Sequence, residues 1–267
     1  MKVQAITVDN FKRKFSVKEL DPWTSGVFTN EDIKTLKNQS GIVGIDRKLI
    51  ELTRLIPVFL RDPIRIFKNL KELIKVYGLT VFRFYTEKEK QVKDTFPFSD
   101  YTLKASIIAA FKPKRLFEIG TSSGWGIVSF RSVLHDCQCY TMEFSKEHKT
   151  GFVIRQKKQL KIKQIWADSL TYNYSLLKPI DVSYIDGNHA YKWVFSDLIN
   201  CNKITTKMIM LDDYIPGKNV QRDPTIQWAD YFLEIVAAVH DFLKIYSEDF
   251  LYAYWIKNTR ICVLIKK

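Results

Sequence analysis

The sequence predicts an α/β fold whose sheet is mostly parallel and carries helices on both faces. Short apolar runs alternate with helix-length segments from about residue 101 onward. Five of these runs have an acidic residue near their carboxyl end, and the last two runs are separated by a short turn. Alternating strands and helices are typical of βα units, which build a parallel sheet. We therefore expect a doubly wound sheet of seven strands, five or more of them parallel, with a C-terminal antiparallel hairpin.

Each strand of this sheet is predicted from one apolar run. The five parallel strands correspond, in chain order, to RLFEIG at 115–120, CQCYTMEF at 137–144, KQIWAD at 163–168, DVSYID at 181–186 and MIMLDDY at 208–214. The runs LYAYWI and RICVLIK flank the turn Lys257-Asn258-Thr259, as the strands of a hairpin do. The two cysteines of the second run, Cys137 and Cys139, share one face of a strand and are predicted to be buried as small apolar residues.

The first 95 residues differ from the rest and predict a mainly helical N-terminal extension, so that we divide the chain into 1–95 and 96–267. Within the extension, DPIRIFKNLKELIKVYG at 62–78 has a helix start signal at Asp62-Pro63 and a stop at Gly78. Its apolar and basic residues fall on largely separate faces. This amphipathic helix either packs on the core or contacts a membrane or an anionic substrate.

Composition limits the class of protein and its partners. The chain has 267 residues, of which 46% are hydrophobic and 14% aromatic, enough for a large buried core. No apolar run approaches the ~18 residues of a membrane span, and the first residues lack the apolar stretch of a secretory signal. We expect a soluble, cytoplasmic protein. The formal net charge of +13 favours an anionic partner, although a lysine-rich proteome gives the same excess. Peripheral membrane contact and a homo-oligomer remain open.

Acidic residues stand near the ends of all five predicted parallel strands. They are Glu118, Glu143, Asp168, Asp186 and the pair Asp212-Asp213. In an open α/β sheet the carboxyl ends of the strands line the crevice in which ligands bind. The five positions are therefore expected to converge on one site.

The first strand is followed by a glycine-rich loop, Glu118 to Gly126, in the sequence EIGTSSGWG. Gly120 and Gly124 let the backbone turn sharply and approach a ligand. Their spacing is not the G-x-G-x-x-G of nicotinamide enzymes. Glu143, at the end of the next strand, is placed where a carboxylate accepts hydrogen bonds from both hydroxyls of a ribose. The two features together predict a nucleoside-containing ligand.

These motifs resemble those of a known family. LFEIGTSSGWG, followed by YTMEF, WADS, YIDGNHAYKWVFSDL and MIMLDDY, is similar to the class I S-adenosylmethionine-dependent methyltransferases, in particular to the small-molecule O-methyltransferases that act on catechols and sugars. The resemblance covers about residues 100–267 and implies a Rossmann-like sheet. It does not cover residues 1–95.

The resemblance implies a binding site for S-adenosyl-L-methionine and one for a divalent cation. Glu118, Gly120 and Gly124 would shape the methionine pocket, Glu143 would bind the ribose, and Asp168 with Ser169 would lie by the adenine. The cofactor residues are Glu118, Gly120, Thr121, Ser122, Gly124, Glu143, Asp168, Ser169 and Asp186. The implied ligands of the cation, which we expect to be Mg²⁺, are Asp186, Asp212 and Asp213. Ser122 departs from the family's usual glycine loop. Asp213 stands where catechol-type enzymes have Asn, which favours a saccharide acceptor.

Methyl transfer to a hydroxyl group also requires removal of a proton. A hard cation would orient the acceptor and lower the pKa of its hydroxyl. His189, three residues after Asp186, is the candidate general base, and both residues are predicted to be catalytic. A capping or solvated histidine is the alternative. Tyr191 and Trp193 are predicted to pack within the following helix and Asp197 to lie on its surface, while 215–230 is predicted to be a loop over the site.

Two other functions remain open from the sequence. A nucleic-acid methyltransferase is favoured by the charge and by Lys157, Lys158, Lys161 and Lys163. Against it, Ile-Asp-Gly-Asn-His lacks the proline-containing tetrad with which base-methylating enzymes hold a flipped base. The other is a non-catalytic protein of the methyltransferase fold, which would not need Asp186, His189 and the Asp212-Asp213 pair. We expect a small-molecule or saccharide acceptor that is uncharged or anionic.

Overall fold

The structure is a computed structural model and describes residues 1–40, 98–146, 150–177, 179–216, 227–257 and 259–267. Its centre is one sheet with the strand order β1-β7-β8-β6-β5-β2-β3-β4. The strands are β1 (Gln4–Ile6), β2 (Arg115–Ile119), β3 (Gln138–Glu143), β4 (Lys163–Trp166), β5 (Ile180–Ile185), β6 (Thr205–Leu211), β7 (Phe250–Ile256) and β8 (Cys262–Lys266). Strands β2 to β6 pair in parallel, and β8 is antiparallel to both β6 and β7.

The five parallel strands and the C-terminal hairpin are confirmed, but the number of strands differs. The described residues form eight strands instead of seven, because Gln4–Ile6 pairs in parallel with β7 at the edge of the sheet. This strand has three residues and lies in the segment predicted to be helical. Two of its residues are exposed, so it has no apolar run from which it could be predicted.

Helices follow most of the parallel strands. The helices of the described residues are α1 (Val8–Phe15), α2 (Asn30–Ser40), α3 (Phe98–Ala110), α4 (Trp125–Val133), α5 (Phe152–Gln156), α6 (Tyr191–Ile204) and α7 (Gln227–Tyr246). Helix α4 follows β2, α5 follows β3 and α6 follows β5, as βα units require. None of the helices that the structure describes is long and apolar enough to cross a membrane.

The chain divides into two compact units. One contains the sheet and comprises 1–27, 101–216 and 222–267, and the other comprises 28–100 and 217–221. In the second unit, the start of α2 is capped reciprocally: the Asp32 amide donates to the Thr29 hydroxyl at 3.2 Å, and the Thr29 amide donates to the Asp32 carboxylate at 2.7 Å. The predicted helix at 62–78 and most of the predicted loop at 215–230 lie outside the described residues.

The core lies on both faces of the central strands. Strand β8 and the inner parts of β2, β5 and β6 are buried, as expected for strands covered on both sides. Helices α6 and α7 contribute Leu198, Cys201, Val239 and Phe242 to the core on one face. Cys137 and Cys139 are buried and unpaired, as predicted.

The prediction that Asp197 lies on a helix surface is wrong. Its side chain is 0% exposed on the same face of α6 as Val194, Leu198 and Cys201. Among the described residues neither carboxyl oxygen has a hydrogen-bond partner of good geometry. Burial disfavours the charged form and raises the pKa of Asp197 to about 7, although the Ser169 side chain is close enough to lower this pKa in part.

Candidate active site

A cavity of about 880 Å³ lies at the carboxyl edge of the parallel strands. Of the predicted site residues, Gly120, Ser122, Glu143, Asp168, Ser169, Asp186 and His189 line it. The structure therefore brings together residues from the ends of β2, β3, β4 and β5, as the direction of the strands requires. Glu118, Thr121, Gly124, Asp212 and Asp213 are not part of this wall.

The loop after β2 can form its wall of the cavity only with glycine at position 120. Gly120 has a φ of +96°, and a Cβ atom there would lie 2.0 Å from the backbone oxygen of Asp186. Residues with a side chain rarely adopt this backbone conformation, and a carbon atom 2.0 Å from an oxygen to which it is not bonded would clash with it. Ser122 also has a positive φ, of 44°. Serine at this position, where the family usually has glycine, therefore has a strained backbone conformation.

Glu143 is fixed on the cavity wall by backbone hydrogen bonds. The Ser122 amide donates to Oε2 at 2.9 Å, and the Phe144 amide donates to Oε1 at 3.0 Å. Each carboxylate oxygen has further lone pairs that can accept hydrogen bonds. The carboxylate is thus held ready for two donors of a ligand in the cavity.

Glu118 lies behind the glycine loop and not on the cavity wall. Its side chain is buried and accepts a hydrogen bond from the Thr141 hydroxyl, which also contacts the Thr121 hydroxyl at 2.7 Å. Burial raises the pKa of Glu118 well above its usual value. Glu118 thus supports the glycine loop from behind, through its hydrogen bond from the Thr141 hydroxyl.

The loop after β4 has a fixed turn at Asp168. The Asp168 carboxylate accepts a hydrogen bond from the Leu170 amide at 2.9 Å, and the Ser169 carbonyl accepts one from the Tyr174 hydroxyl at 3.0 Å. These bonds hold Asp168 and Ser169 on the same wall as Glu143.

His189 stands between two carboxylates at the end of β5. Its Nε2 atom is 3.7 Å from Asp186 Oδ1 and 3.6 Å from Asp213 Oδ2. Burial, and after it the charge of Asp212, raises the pKa of Asp186 to about 6. A proton received by His189 would therefore be stabilised by two adjacent carboxylates.

Asp212 is engaged by a buried lysine. Lys104 Nζ, on α3, lies 2.7 Å from Asp212 Oδ2, and the two side chains are only 2% and 6% exposed. The Tyr184 hydroxyl donates to the same oxygen at 3.1 Å. Burial opposes ionisation, but the charges of Lys104 and Arg260 hold the pKa of Asp212 well below its usual range.

Asp213 is paired with a second cation. Arg260, which follows the hairpin turn, donates from its guanidinium to Asp213 Oδ1. Asp213 has a φ of +56°, a left-handed conformation that aspartate adopts more readily than most residues. The pair Asp212-Asp213 therefore points its carboxylates at two different basic side chains.

The residues implied as cation ligands are only partly gathered. Ligand atoms of Asp186, His189 and Asp213 lie within 4.8 Å of one another. Among the described residues, this is the one group of three possible metal ligands whose atoms are that close. It contains an imidazole in place of the third carboxylate. Mg²⁺ prefers oxygen donors, so this set does not fit the expected ion.

The comparison with protein families finds a match for the central part of this sheet. Residues 117–214 match a family model described as a methyltransferase domain. These residues run from β2 through β6 and contain every implied cofactor and metal residue.

Residues 117–214 are thus similar to a methyltransferase domain.

Several solved structures are similar to this chain. A Staphylococcus aureus protein provisionally assigned as a caffeoyl-CoA O-methyltransferase is 15% identical, with 75% of this chain and 98% of that chain covered and a TM-score of 0.50. The Bacillus cereus O-methyltransferase in complex with SAH is 14% identical over 73% and 96% of the two chains, with a TM-score of 0.48. TomG of Streptomyces achromogenes, an O-methyltransferase in complex with SAM, is 13% identical over 72% and 90%, with a TM-score of 0.47. No curated protein matches the sequence.

The candidate active site includes residues that the sequence did not indicate as site residues. They are Lys104, Arg260, Tyr184, Phe144, Glu234 and, predicted only to pack, Trp193. One sequence signal existed for Lys104, since it is the only charged residue between Tyr101 and Phe111. An isolated lysine within an apolar helix needs a buried partner. Arg260 had no comparable signal.

The basic residues that favoured a nucleic-acid substrate are not grouped at the cavity. Lys163 begins β4, at the end opposite to the cavity, and Lys157 is buried. Lys158 and Lys161 are exposed beside them. These positions do not place a basic surface next to His189.

Proposed function

We propose that this chain transfers a methyl group from S-adenosylmethionine to a hydroxyl oxygen of a small molecule or saccharide, with His189 as the general base. The observation that carries the proposal is the shared cavity. Glu143, held by two backbone amides, and His189, flanked by Asp186 and Asp213, are on its wall. A nucleoside-binding carboxylate and a base are thus present in one space.

The residues on the wall fit the cofactor. Glu143 accepts the ribose hydroxyls, and Asp168 and Ser169 contact the adenine from the loop after β4. The close approach of Gly120 to the backbone of Asp186 leaves room for the methionine part of the cofactor beside the loop. A volume of about 880 Å³ is in the range of cavities that enclose a ligand of this size together with a small acceptor.

S-adenosylmethionine supplies an electrophilic methyl group on a positively charged sulfur. His189 Nε2 accepts the proton of the acceptor hydroxyl as the oxygen attacks the methyl carbon, and the carbon–sulfur bond breaks to release S-adenosylhomocysteine. The resulting imidazolium is stabilised by Asp186 and Asp213, which are 3.7 and 3.6 Å away. His189 then returns the proton to solvent. Its partly exposed side chain makes this step accessible.

A saccharide acceptor is favoured over a catechol. The acidic residue Asp213, where catechol-type relatives have Asn, supports this choice. Trp193 and Glu234 line the cavity near Asn188 and His189. An aromatic face that packs against a sugar ring and a carboxylate that accepts its hydroxyls are suited to this class of substrate.

The divalent cation implied by the resemblance competes with this use of His189. The resemblance assigns it to Asp186, Asp212 and Asp213, whereas the ligand atoms that lie close together among the described residues are those of Asp186, His189 and Asp213. Coordination would occupy the imidazole lone pair, so His189 could not be both ligand and base. The proposed reaction uses His189 as the base and routes no step through a metal ion.

The proposal is tested in two stages. Isothermal calorimetry with S-adenosylmethionine measures cofactor binding to the full chain. Tritiated S-adenosylmethionine is then incubated with a panel of mono- and oligosaccharides and with catechol, and transfer of the label is counted. We expect cofactor binding and label on a saccharide. Absence of cofactor binding would refute the proposed function, and label on catechol alone would refute the acceptor class.

A further inference from the structure

Two acid–base pairs lie directly beside His189. Lys104 is paired with Asp212, and Arg260 with Asp213. The two acidic residues are consecutive, whereas the two basic residues come from α3 and from the turn before β8. Such an arrangement gives the site two positive charges that are part of the protein.

The Lys104–Asp212 pair is buried, so the positive charge of Lys104 requires a negative partner at this position. A buried lysine is strongly unfavourable unless it is paired and hydrogen-bonded. Lys104 meets this condition through Asp212, whose Oδ2 also accepts the Tyr184 hydroxyl. One oxygen of the Asp212 carboxylate, Oδ2, is thus already bound to an ammonium group, whereas the other, Oδ1, has no hydrogen-bond partner among the described residues.

These pairs affect the charge beside His189. Five charged residues form a cluster there: Asp186, Asp212, Asp213, Lys104 and Arg260. A divalent cation would add two positive charges to a cluster that already contains two basic side chains, and it would repel the sulfonium.

We propose that Lys104 and Arg260 replace the divalent cation, so that this methyltransferase works without a metal ion. The inference rests on the proposed function. It assigns Lys104 as a positioning residue, which orients Asp212 and sets the charge of the cluster. His189 then removes the proton of the acceptor hydroxyl without the help of a metal ion.

The first test is a titration of the metal-free wild-type protein with MnCl2, in which electron paramagnetic resonance measures free Mn²⁺. We expect a Kd no tighter than about 1 mM, the range of weak surface binding. We also expect the calorimetric Kd of S-adenosylhomocysteine to be the same in EDTA and in MgCl2. A micromolar Kd for Mn²⁺, or cofactor binding that requires Mg²⁺, would overturn the inference.

Variants that lack one positive charge test whether Lys104 is the cause of the weak Mn²⁺ binding. Lys104→Met removes one positive charge and leaves Asp212 ionised, so Mn²⁺ should bind at least about tenfold more tightly than to the wild type. The double variant Lys104→Met with Asp212→Asn restores the wild-type net charge and should restore weak binding. Unchanged Mn²⁺ affinity in Lys104→Met would overturn the role of Lys104. If this variant fails to fold, Arg260→Gln and its partner variant with Asp213→Asn make the same comparison.

These measurements are separate from the test of the proposed function. The Mn²⁺ titration needs neither cofactor nor acceptor, whereas the proposed function depends on binding of S-adenosylmethionine and on transfer of label. A protein that transfers methyl groups only with Mn²⁺ would refute this inference alone. A protein that binds neither cofactor nor Mn²⁺ would refute the proposed function alone.

Discussion

Lys104 Nζ lies 2.7 Å from Asp212 Oδ2 in the buried interior beside the active site. The pair connects α3, which precedes the sheet's first long strand, to the end of β6. It fixes Asp212, and through the chain it positions the neighbouring Asp213 next to His189. One ionic contact thus links the core of the fold to His189, the candidate general base.

Removing one partner of this pair should destabilise the protein strongly. We expect Lys104→Ala to lower the free energy of unfolding by about 3–5 kcal/mol, because Asp212 would be left as a buried, unpaired charge. Lys104→Met combined with Asp212→Leu removes both charges and should cost less than Lys104→Ala. Urea unfolding followed by circular dichroism measures both values. Equal losses in the two variants would show that packing, and not charge, determines the effect.

Glu143 should control cofactor affinity. We expect Glu143→Ala to weaken binding of S-adenosylmethionine by about 100-fold or more, since two charge-assisted hydrogen bonds to the ribose are lost. Isothermal calorimetry measures this affinity. Glu19→Ala is the matched control, because Glu19 is an exposed glutamate paired with Lys12 outside the cavity. An affinity of Glu143→Ala close to that of the wild type would remove the assignment of the ribose site.

His189 should affect the rate and not the binding of the cofactor. We expect His189→Ala to lower kcat by about 10²- to 10⁴-fold, the usual contribution of a general base. The Kd of S-adenosylhomocysteine should change little, because Glu143 and the glycine loop remain intact. Rates are measured with the best acceptor of the saccharide panel. A variant that keeps its kcat would leave His189 as a capping residue.

Gly120 should be far less tolerant of substitution than another glycine of positive φ. In Gly120→Ala the new Cβ would lie 2.0 Å from the Asp186 oxygen, so we expect a loss of stability above about 3 kcal/mol or failure to fold. Gly26 has a φ of +78° but no atom within 4 Å of its Cβ position. Gly26→Ala should therefore cost only about 1 kcal/mol of backbone strain. Thermal and urea unfolding compare the two; similar losses would contradict the contact.

Asp197 should make stability depend on pH. Its pKa of about 7 in the folded protein lies above the value of an unfolded aspartate, so the folded state binds the proton more tightly. The wild type should therefore lose stability as pH rises from about 4 to 7, by up to about 1.4 kcal/mol per pH unit. Asp197→Asn lacks this slope and should be the more stable protein at pH 8. Urea unfolding at pH 5 and pH 8 measures the difference, and parallel pH profiles would contradict it.

The five parallel strands, the hairpin and the glycine loop were determined by the sequence itself. Each depends on residues close together in the chain: an apolar run for a strand, glycines for a sharp turn. The meeting of Glu143, Asp168 and Asp186 at one cavity was also predictable, because parallel strands place their carboxyl ends on one edge.

Only the tertiary structure decided which partners those carboxylates have. Lys104 and Arg260 are far from Asp212 and Asp213 in sequence, and no local pattern indicates that either pair forms. The pairing of Gln4–Ile6 with β7 and the burial of Asp197 are long-range in the same way. Charge pairing and burial depend on which distant elements pack together, and that information is in the fold as a whole and not in any single segment.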